Sequence, residues 1–486
     1  MQPLKILFVS AEVAPFAKVG GLADVAGALP KALAQLGHEV RVLMPLYGMI
    51  QSDPRWELEQ TVDWFDVNVN SNWKKRARYC ELKRDGVTWS FVGSDTWFND
   101  STDSETVYRP GGIQHLFLSA AILQILDRIN WIPDVIHCND WHTGFLPVLM
   151  RYRDGQKWDR TASVFTIHNF AYQGEFGLET LDTLDLPRSL FNSNEVEAYG
   201  QVNFLKSGCV FADEVNTVSP TYAQEIQTSQ YGNRLEGFMQ WLAGQHRLTG
   251  ILNGIDTDVF NPATDLDIAA HFDADHLDGK DECRRSLLEE VGMEPIAGAP
   301  LLGMVTRISG QKGLNLVMEA AESMFSLPVQ MIIQGLGEPD LVRNFKNLEK
   351  DHPKHFRYIE RFDAPLAQRV YAGSDAFLMP SSFEPCGLGQ LIAMRYGTVP
   401  VVRKTGGLAD TVFEGINGFS FERQAPMDFL AAVVRAFDAY GVPAKWQQLV
   451  HAGMTTDHSW TLSASHYMDL YERAILARQS VAVAAS

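Results

Sequence analysis

Apolar and β-branched residues occur along this chain in short continuous runs, each followed by a stretch with apolar positions three and four apart. Six runs fall in the first half: Ile6–Ser10, Val40–Met44, Thr88–Val92, Val135–His137, Val164–Ile167 and Val215–Val218. Six more fall in the second half: Leu301–Thr306, Val329–Ile333, Phe356–Ile359, Ala376–Met379, Val399–Val402 and Gly418–Phe421. Runs without polar alternation suit strands buried on both faces, and the stretches between them suit helices. The pattern predicts an α/β protein built on parallel sheets.

Twelve strands are too many for one comfortable doubly wound sheet, so two Rossmann-like domains are expected. Gly244, Gly250 and Gly254 break the pattern and put the boundary near Leu242–Asn253. The expected division is 1–245, 246–456, and a C-terminal segment 457–486 packing back on the first domain. In that segment Trp460, Ala464, Tyr467, Leu470, Tyr471 and Ile475 share most of one face of a helix over Ser459–Ala477. The tail Ser480–Ser486 is expected to fray. A helix is also expected over Gly27–Leu36, with Pro30 interrupting its middle.

Length and charge narrow the function classes. The chain has 486 residues and a formal net charge of −18, which argues against nucleic acid or an anionic membrane as the main partner. A small anionic ligand needs only a few local cations and stays open. Cys80, Cys138, Cys209, Cys283 and Cys386 are scattered and odd in number, which suits a reduced cytoplasmic setting. The start, Met1 to Ser10, reads as a first strand rather than a signal peptide, and no stretch approaches the roughly 20 apolar residues of a membrane span.

One string occurs twice: Lys18-Val-Gly20-Gly21-Leu-Ala-Asp24 and Lys404-Thr405-Gly406-Gly407-Leu-Ala-Asp410. Each copy joins a cation to two residues without a Cβ at the start of a helix-compatible run. Such loops bring backbone N–H groups close to phosphate oxygens. Two copies in two halves suggest like-folded halves serving one anionic ligand.

Ligands of open α/β sheets bind beyond the carboxyl ends of the strands. Unusual residues gather there: Glu12 and the Lys18 loop, then Asp140-Trp141-His142, then His168-Asn169. In the second half they are Arg307 with Gly310-Gln311-Lys312-Gly313, and Phe383-Glu384-Pro385-Cys386-Gly387-Leu388. Arg307 and Lys312 suit a phosphate: the first offers a planar donor fork, the second a point charge. Glu384 precedes a proline, two glycines and a helix starting near Gln390, so a carboxylate meets free N–H groups. That combination suits a polyhydroxyl ligand attached to phosphate. The blander readings are weaker. His137, Cys138 and His142 lack a second paired motif for zinc, and His137 reads as a hydrogen-bonded core histidine. Cys386 has no neighbouring histidine base to make it a nucleophile.

Together these motifs, with Leu252-Asn253-Gly254-Ile255-Asp256, resemble the bacterial glycogen synthases and plant starch synthases from about Lys5 to Tyr471. The opening string and the surroundings of Tyr47 look more like the cyanobacterial branch. The resemblance implies a GT-B fold with the active site in an interdomain cleft. It implies ADP-glucose as donor, the non-reducing end of an α-1,4-glucan (glycogen) as acceptor, and glucosyl transfer with retention. No metal or other cofactor is implied.

Carried over by position, Lys18, Arg307 and Lys312 would hold the diphosphate, with Gly20 and Gly21 in the first loop. Glu384 would bind glucose hydroxyls beside the N–H groups around Cys386, Gly387 and Leu388. His168 would lie under the donor sugar beside Asn169, Asn253 near the donor, and Asp140 close to the reacting centre. Phe362 would meet the adenine. Thr405 and Gly406 would be the contact points of the second string, with Lys404 a surface charge. Glu12, Phe98 and Trp141 would line the acceptor side. Val19 departs from the commoner Lys-Thr-Gly-Gly-Leu loop and removes a hydroxyl. Ile392 stands where the wider GT-B group often has a second glutamate. No strong nucleophile is evident, which favours same-face attack over double displacement. The alternatives are a related GT-B transferase using another donor such as UDP-glucose, a phosphorylase requiring pyridoxal phosphate, and a catalytically silent glucan-binding protein. Oligomeric state is not legible.

Overall fold

The run Lys5–Val9 lies at the centre of a nine-stranded sheet. Its order is Leu248–Gly250, Glu214–Thr217, Ala162–Ile167, Val135–Asn139, Lys5–Val9, Glu39–Pro45, Val87–Ser94, Lys74–Arg84 and Glu59–Asn68. The first seven are parallel and the last two antiparallel. Phe8 pairs with Val42 on one side and His137 on the other. The side chains from Ile6 to Val9 are almost wholly buried. Each contributes about 1.5–3 kcal/mol by leaving water, which is why these runs carry no polar alternation.

This computed structural model describes residues 2–153 and 155–485. Contacts divide the chain into two units. One comprises Met1–Val218, Ala223–Ile251 and Trp460–Ser486; the other comprises Ser219–Tyr222 and Leu252–Ser459. The short strand Leu248–Gly250 completes the first sheet, so the main crossover follows Ile251. The second unit is built on six parallel strands in the order Phe356–Ile359, Gln330–Gln334, Leu301–Val305, Ala376–Met379, Val399–Arg403 and Phe419–Phe421.

Three features differ from the sequence expectation. The strands Glu59–Asn68 and Lys74–Arg84 were hidden by charged residues on a largely exposed hairpin. The first helix runs over Gly21–Gln35, beginning directly at the glycine loop and continuing through Pro30. The last helix extends over Trp460–Ala485 instead of fraying from Ser480; Ser486 lies outside the described residues.

That last helix belongs to the first unit and packs on the Gly21–Gln35 helix and the Ala162–Ile167 strand. Trp460, Ala464, Tyr467, Leu470 and Tyr471 are buried, whereas Ile475 is half-buried. Tyr471 anchors it: its hydroxyl meets His137 Nδ1 at 2.8 Å, and His137 Nε2 meets Thr166 Oγ1 at 2.6 Å. Burial holds His137 far below the usual imidazole range, so it is a neutral, fully hydrogen-bonded core residue. Tyr471→Phe strands one buried ring nitrogen and should destabilise the first unit by about 1–3 kcal/mol. A lower midpoint in urea unfolding, with unchanged far-ultraviolet circular dichroism, is the expected result.

Candidate functional site

In the first unit three neighbouring strand ends deliver Glu12, Asp140 and His168. Glu12 follows Lys5–Val9 and is buried. Its Oε2 accepts the N–H groups of Val19 at 2.5 Å and Gly20 at 2.9 Å, and Tyr108 also bonds to it. Thus a carboxylate of this chain caps the first glycine loop. Burial raises the Glu12 pKa despite those donors. Lys18 is half-exposed, with its ammonium 2.6 Å from Asp24 Oδ1.

Asp140 follows Val135–Asn139 with a left-handed backbone, φ 56°. This conformation is uncommon outside glycine and turns its carboxylate onto the next strand end. There Oδ1 accepts the His168 N–H at 2.7 Å, and the Asn169 N–H also donates to this carboxylate. Burial pushes the Asp140 carboxyl up to about 7. His168 Nε2 lies 2.9 Å from Asn139 Oδ1, and burial takes its pKa down to about 3. His168 is therefore a neutral hydrogen-bonding group near pH 7. Beside Asp140, Trp141 contacts the His142 ring at 4.0 Å, and Tyr108 stacks on His142 at 4.6 Å. His115 adds an edge at 4.9 Å. Phe98, also with positive φ, packs edge-on against Tyr47 at 5.9 Å.

The second unit repeats the principle. Leu301–Val305 leads to Arg307, and adjacent Ala376–Met379 leads to Glu384. Gly313 takes φ 70°, and a Cβ there would meet the Pro380 carbonyl oxygen at 1.9 Å, so only glycine lets the two loops touch. Lys312 Nζ then reaches Glu384 Oε2 at 2.6 Å, and Ser381 Oγ donates to the same oxygen at 3.1 Å. Arg403 donates to the carbonyls of Ser381 and Ser382 and fixes the loop from below. Arg307 is exposed and forms no ion pair among the described residues. It is the available cation beside a neutralised Lys312–Glu384 pair.

Cys386 is buried, its thiol pushed up to about 12, and it accepts the Asn253 N–H. A thiol so held is inert as a nucleophile near neutrality. The buried Asn253 Oδ1 has no protein partner among the described residues. Gly387 takes φ 77°, Leu388 is half-buried, and a seven-residue helix follows over Gly389–Arg395. Phe362 stands two strands away from the Arg307 strand with its side chain largely in solvent.

The two Lys-x-Gly-Gly strings prove unequal. In the second, Thr405 and Gly406 are buried. A Cβ at Gly406, φ 45°, would meet Glu384 O at 1.9 Å; one at Gly407 would meet Cys386 O at 2.1 Å. Those glycines seat the Glu384 loop. Lys404 is 3.6 Å from Glu422. In the first string, a Cβ at Gly20 would make only ordinary contact at 3.6 Å, and one at Gly21 would meet nothing within 4 Å. The fold itself does not demand those glycines.

Sequence reasoning missed Tyr108, Ser381 and the pairing of Lys312 with Glu384. Tyr108 sits in a segment of polar and glycine residues with no periodic signal. Ser381 is three residues from Glu384 and could have been found as its nearest hydroxyl. No group of three or more His, Cys, Asp or Glu side chains able to hold a metal occurs among the described residues, and no helix there is long and apolar enough to cross a membrane.

The chain resembles known proteins over nearly its whole length. A starch synthase catalytic domain model matches residues 5–241, and a glycosyl transferases group 1 model matches 294–448. The glycogen synthase of Syntrophotalea carbinolica is 43% identical, covering 97% of this chain and 99% of that one. The chain belongs to the glycogen synthase family. Other members are the glycogen synthases of Desulforudis audaxviator, 43% identical over 98% of this chain and 97% of that one, and Clostridioides difficile, 41% identical over 96% and 99%. The catalytic domain of Arabidopsis thaliana starch synthase IV, solved with ADP and acarbose, superposes with a TM-score of 0.90 at 34% identity, covering 98% of this chain and 100% of that one. The fold is accordingly GT-B, the arrangement expected for a glycosyltransferase of the glycogen synthase family. Sucrose-phosphate synthase of Thermosynechococcus elongatus shares the fold at a TM-score of 0.63 and 15% identity, covering 98% and 100%.

Two measurements check the site. Gly406→Ala should destabilise the second unit by about 2 kcal/mol or more through backbone strain and collision. Gly21→Ala should leave the melting temperature nearly unchanged while slowing glucosyl transfer; equal melting losses would contradict the distinction. The raised Asp140 pKa means the folded chain holds that proton more tightly than the unfolded chain. Its stabilising contribution is complete below about pH 4 and is lost as pH rises through about 7. Melting temperature followed from pH 4 to 8 should therefore decline less steeply in Asp140→Asn than in the parent.

Proposed function

We propose that this chain transfers glucose from ADP-glucose to the non-reducing end of an α-1,4-glucan, retaining the anomeric configuration and lengthening glycogen. The observation that carries this reading is the second-unit cluster: exposed Arg307 beside the Lys312–Glu384–Ser381 network at adjacent strand ends. It offers a cation for a diphosphate and a carboxylate for sugar hydroxyls. The ADP bound to Arabidopsis starch synthase IV supports an adenine nucleotide as the leaving group here.

Breaking the anomeric C–O bond places negative charge on the diphosphate and positive charge on the sugar ring. Arg307 and Lys312 stabilise the departing diphosphate, joined by Lys18 once it exchanges Asp24 for phosphate. Glu384 accepts glucose hydroxyls while Lys312 and Ser381 hold its carboxylate in place. Asn253 Oδ1, Gly387 and Leu388 border the same donor, and exposed Phe362 offers a ring to the adenine. Neutral His168, beside Asn169, lies beneath the donor sugar, Asp140 orients donor or acceptor hydroxyls near the reacting carbon, and Glu12, Phe98 and Trp141 line the acceptor side. The leaving phosphate takes the acceptor proton in a same-face attack. The five buried, unpaired cysteines suit a cytoplasmic setting for this reaction.

Each part has a test. ADP-glucose with a primer glucan should give elongation well above UDP-glucose or primer-free controls; no elongation with either donor would sink the reading. Arg307→Ala should keep the parent melting temperature yet lower kcat/KM by roughly 100- to 1,000-fold, the size expected for one electrostatic donor. Glu384→Gln should nearly abolish turnover, and a fully active variant would remove Glu384 from its assigned role.

A further inference from the structure

The carboxyl ends of the first sheet hold Glu12, Asp140 and His168, and the opposite end carries a cavity lined in part by arginines. It measures about 480 Å³ and lies wholly within the first unit. Its position follows from the parallel strands: Asp213 precedes Glu214–Thr217, Arg247 precedes Leu248–Gly250, and Arg151 lies in the last turn of the Phe145–Tyr152 helix. Arg478 enters from the last helix.

Three arginines thus line the cavity, with the single carboxylate of Asp213 among the lining residues. That carboxylate is already saturated on one oxygen. Asp213 Oδ2 accepts Arg151 Nη2 at 2.8 Å, the Ser163 N–H at 2.7 Å and Ser163 Oγ at 2.9 Å. Arg478 Nη1 stands 3.6 Å from its other oxygen, and its Nη2 is 3.8 Å from Asp159. Arg247 donates to the carbonyls of Cys209, Val210, Ala212 and Asp213 rather than to a carboxylate. Nearby Glu214 lies 3.8 Å from Arg473.

Arg151 supplies the decisive detail. Its Nη1 is buried and has no hydrogen-bond partner among the described residues. A buried guanidinium donor left unmatched is costly, and such groups call for an explanation. Burial lowers the pKa of both Arg151 and Arg247, and the like charge of Arg478 opposes Arg151 further. Among the lining residues three arginines outnumber the one carboxylate of Asp213, an excess that a bound anion completes. The remaining wall is apolar: Val210, Phe211, Val481 and the Tyr152 ring, with Tyr152 set edge-on to Phe211 at 5.6 Å.

We propose that this cavity binds a small phosphomonoester, its dianion held by Arg151, Arg247 and Arg478 and its organic part lying on the Tyr152–Phe211–Val481 wall. Planar donor forks match phosphate oxygens, and the volume suits a small metabolite. The site stands apart from the nucleotide-sugar site and does not depend on that assignment.

Calorimetric titration of the full chain, with excess ADP present, tests it with inorganic phosphate and phenyl phosphate as probes. Both should bind saturably at one site, phenyl phosphate more tightly because its ring covers the apolar wall. Arg151→Gln should weaken phenyl phosphate binding at least tenfold. Val481→Glu places a carboxylate at an exposed edge of the cavity, leaves the melting temperature unchanged, and should weaken binding to a similar degree. Absence of saturable binding, or binding that Val481→Glu leaves unchanged, would overturn the proposal.

Discussion

Parallel strands buried on both faces have nowhere to place polar chemistry except beyond their ends. Every candidate residue of this chain obeys that constraint. Val9, Asn139 and Ile167 end three neighbouring strands, and Glu12, Asp140 and His168 follow within three residues. Val305 and Met379 end adjacent strands of the other sheet, and Arg307 and Glu384 follow. Core packing therefore positions the reactive groups, because the strand ends move only if the buried runs do. Gly313 shows how tight the requirement becomes, with a carbonyl oxygen occupying the space a Cβ would need.

Charge is handled differently in the two units. In the first unit burial dominates: Asp140 is raised, and His168, His142 and His115 are held neutral. Such groups act through hydrogen bonds rather than net charge. In the second unit ion pairing dominates, since Lys312 and Glu384 neutralise each other and Arg307 is left exposed. This division suits a reaction whose leaving group gains negative charge while its sugar is ordered by neutral contacts.

Most of the architecture was legible because parallel strands leave an unmistakable apolar run. All twelve expected runs became strands, with ends displaced by no more than two residues. The hairpin of Glu59–Asn68 and Lys74–Arg84 was not legible, since alternating charges on an exposed edge resemble a loop. Candidate residues with glycine or proline neighbours, such as Glu384 and Lys18, stood out from spacing. Tyr108 was not, because its bond to Glu12 joins residues far apart in sequence. In the repeated Lys-x-Gly-Gly string, near-identical local sequence serves packing around Gly406 and open space around Gly21. Likewise the arginines at 151, 247 and 478 converge only through the fold.

The central claim is retaining glucosyl transfer from ADP-glucose to an α-1,4-glucan. It is tested most directly by proton NMR of the first product formed from ADP-glucose and a malto-oligosaccharide. The account predicts one added glucose, α-1,4-linked at the non-reducing end. A β-linkage, or release of free glucose without elongation, would contradict it.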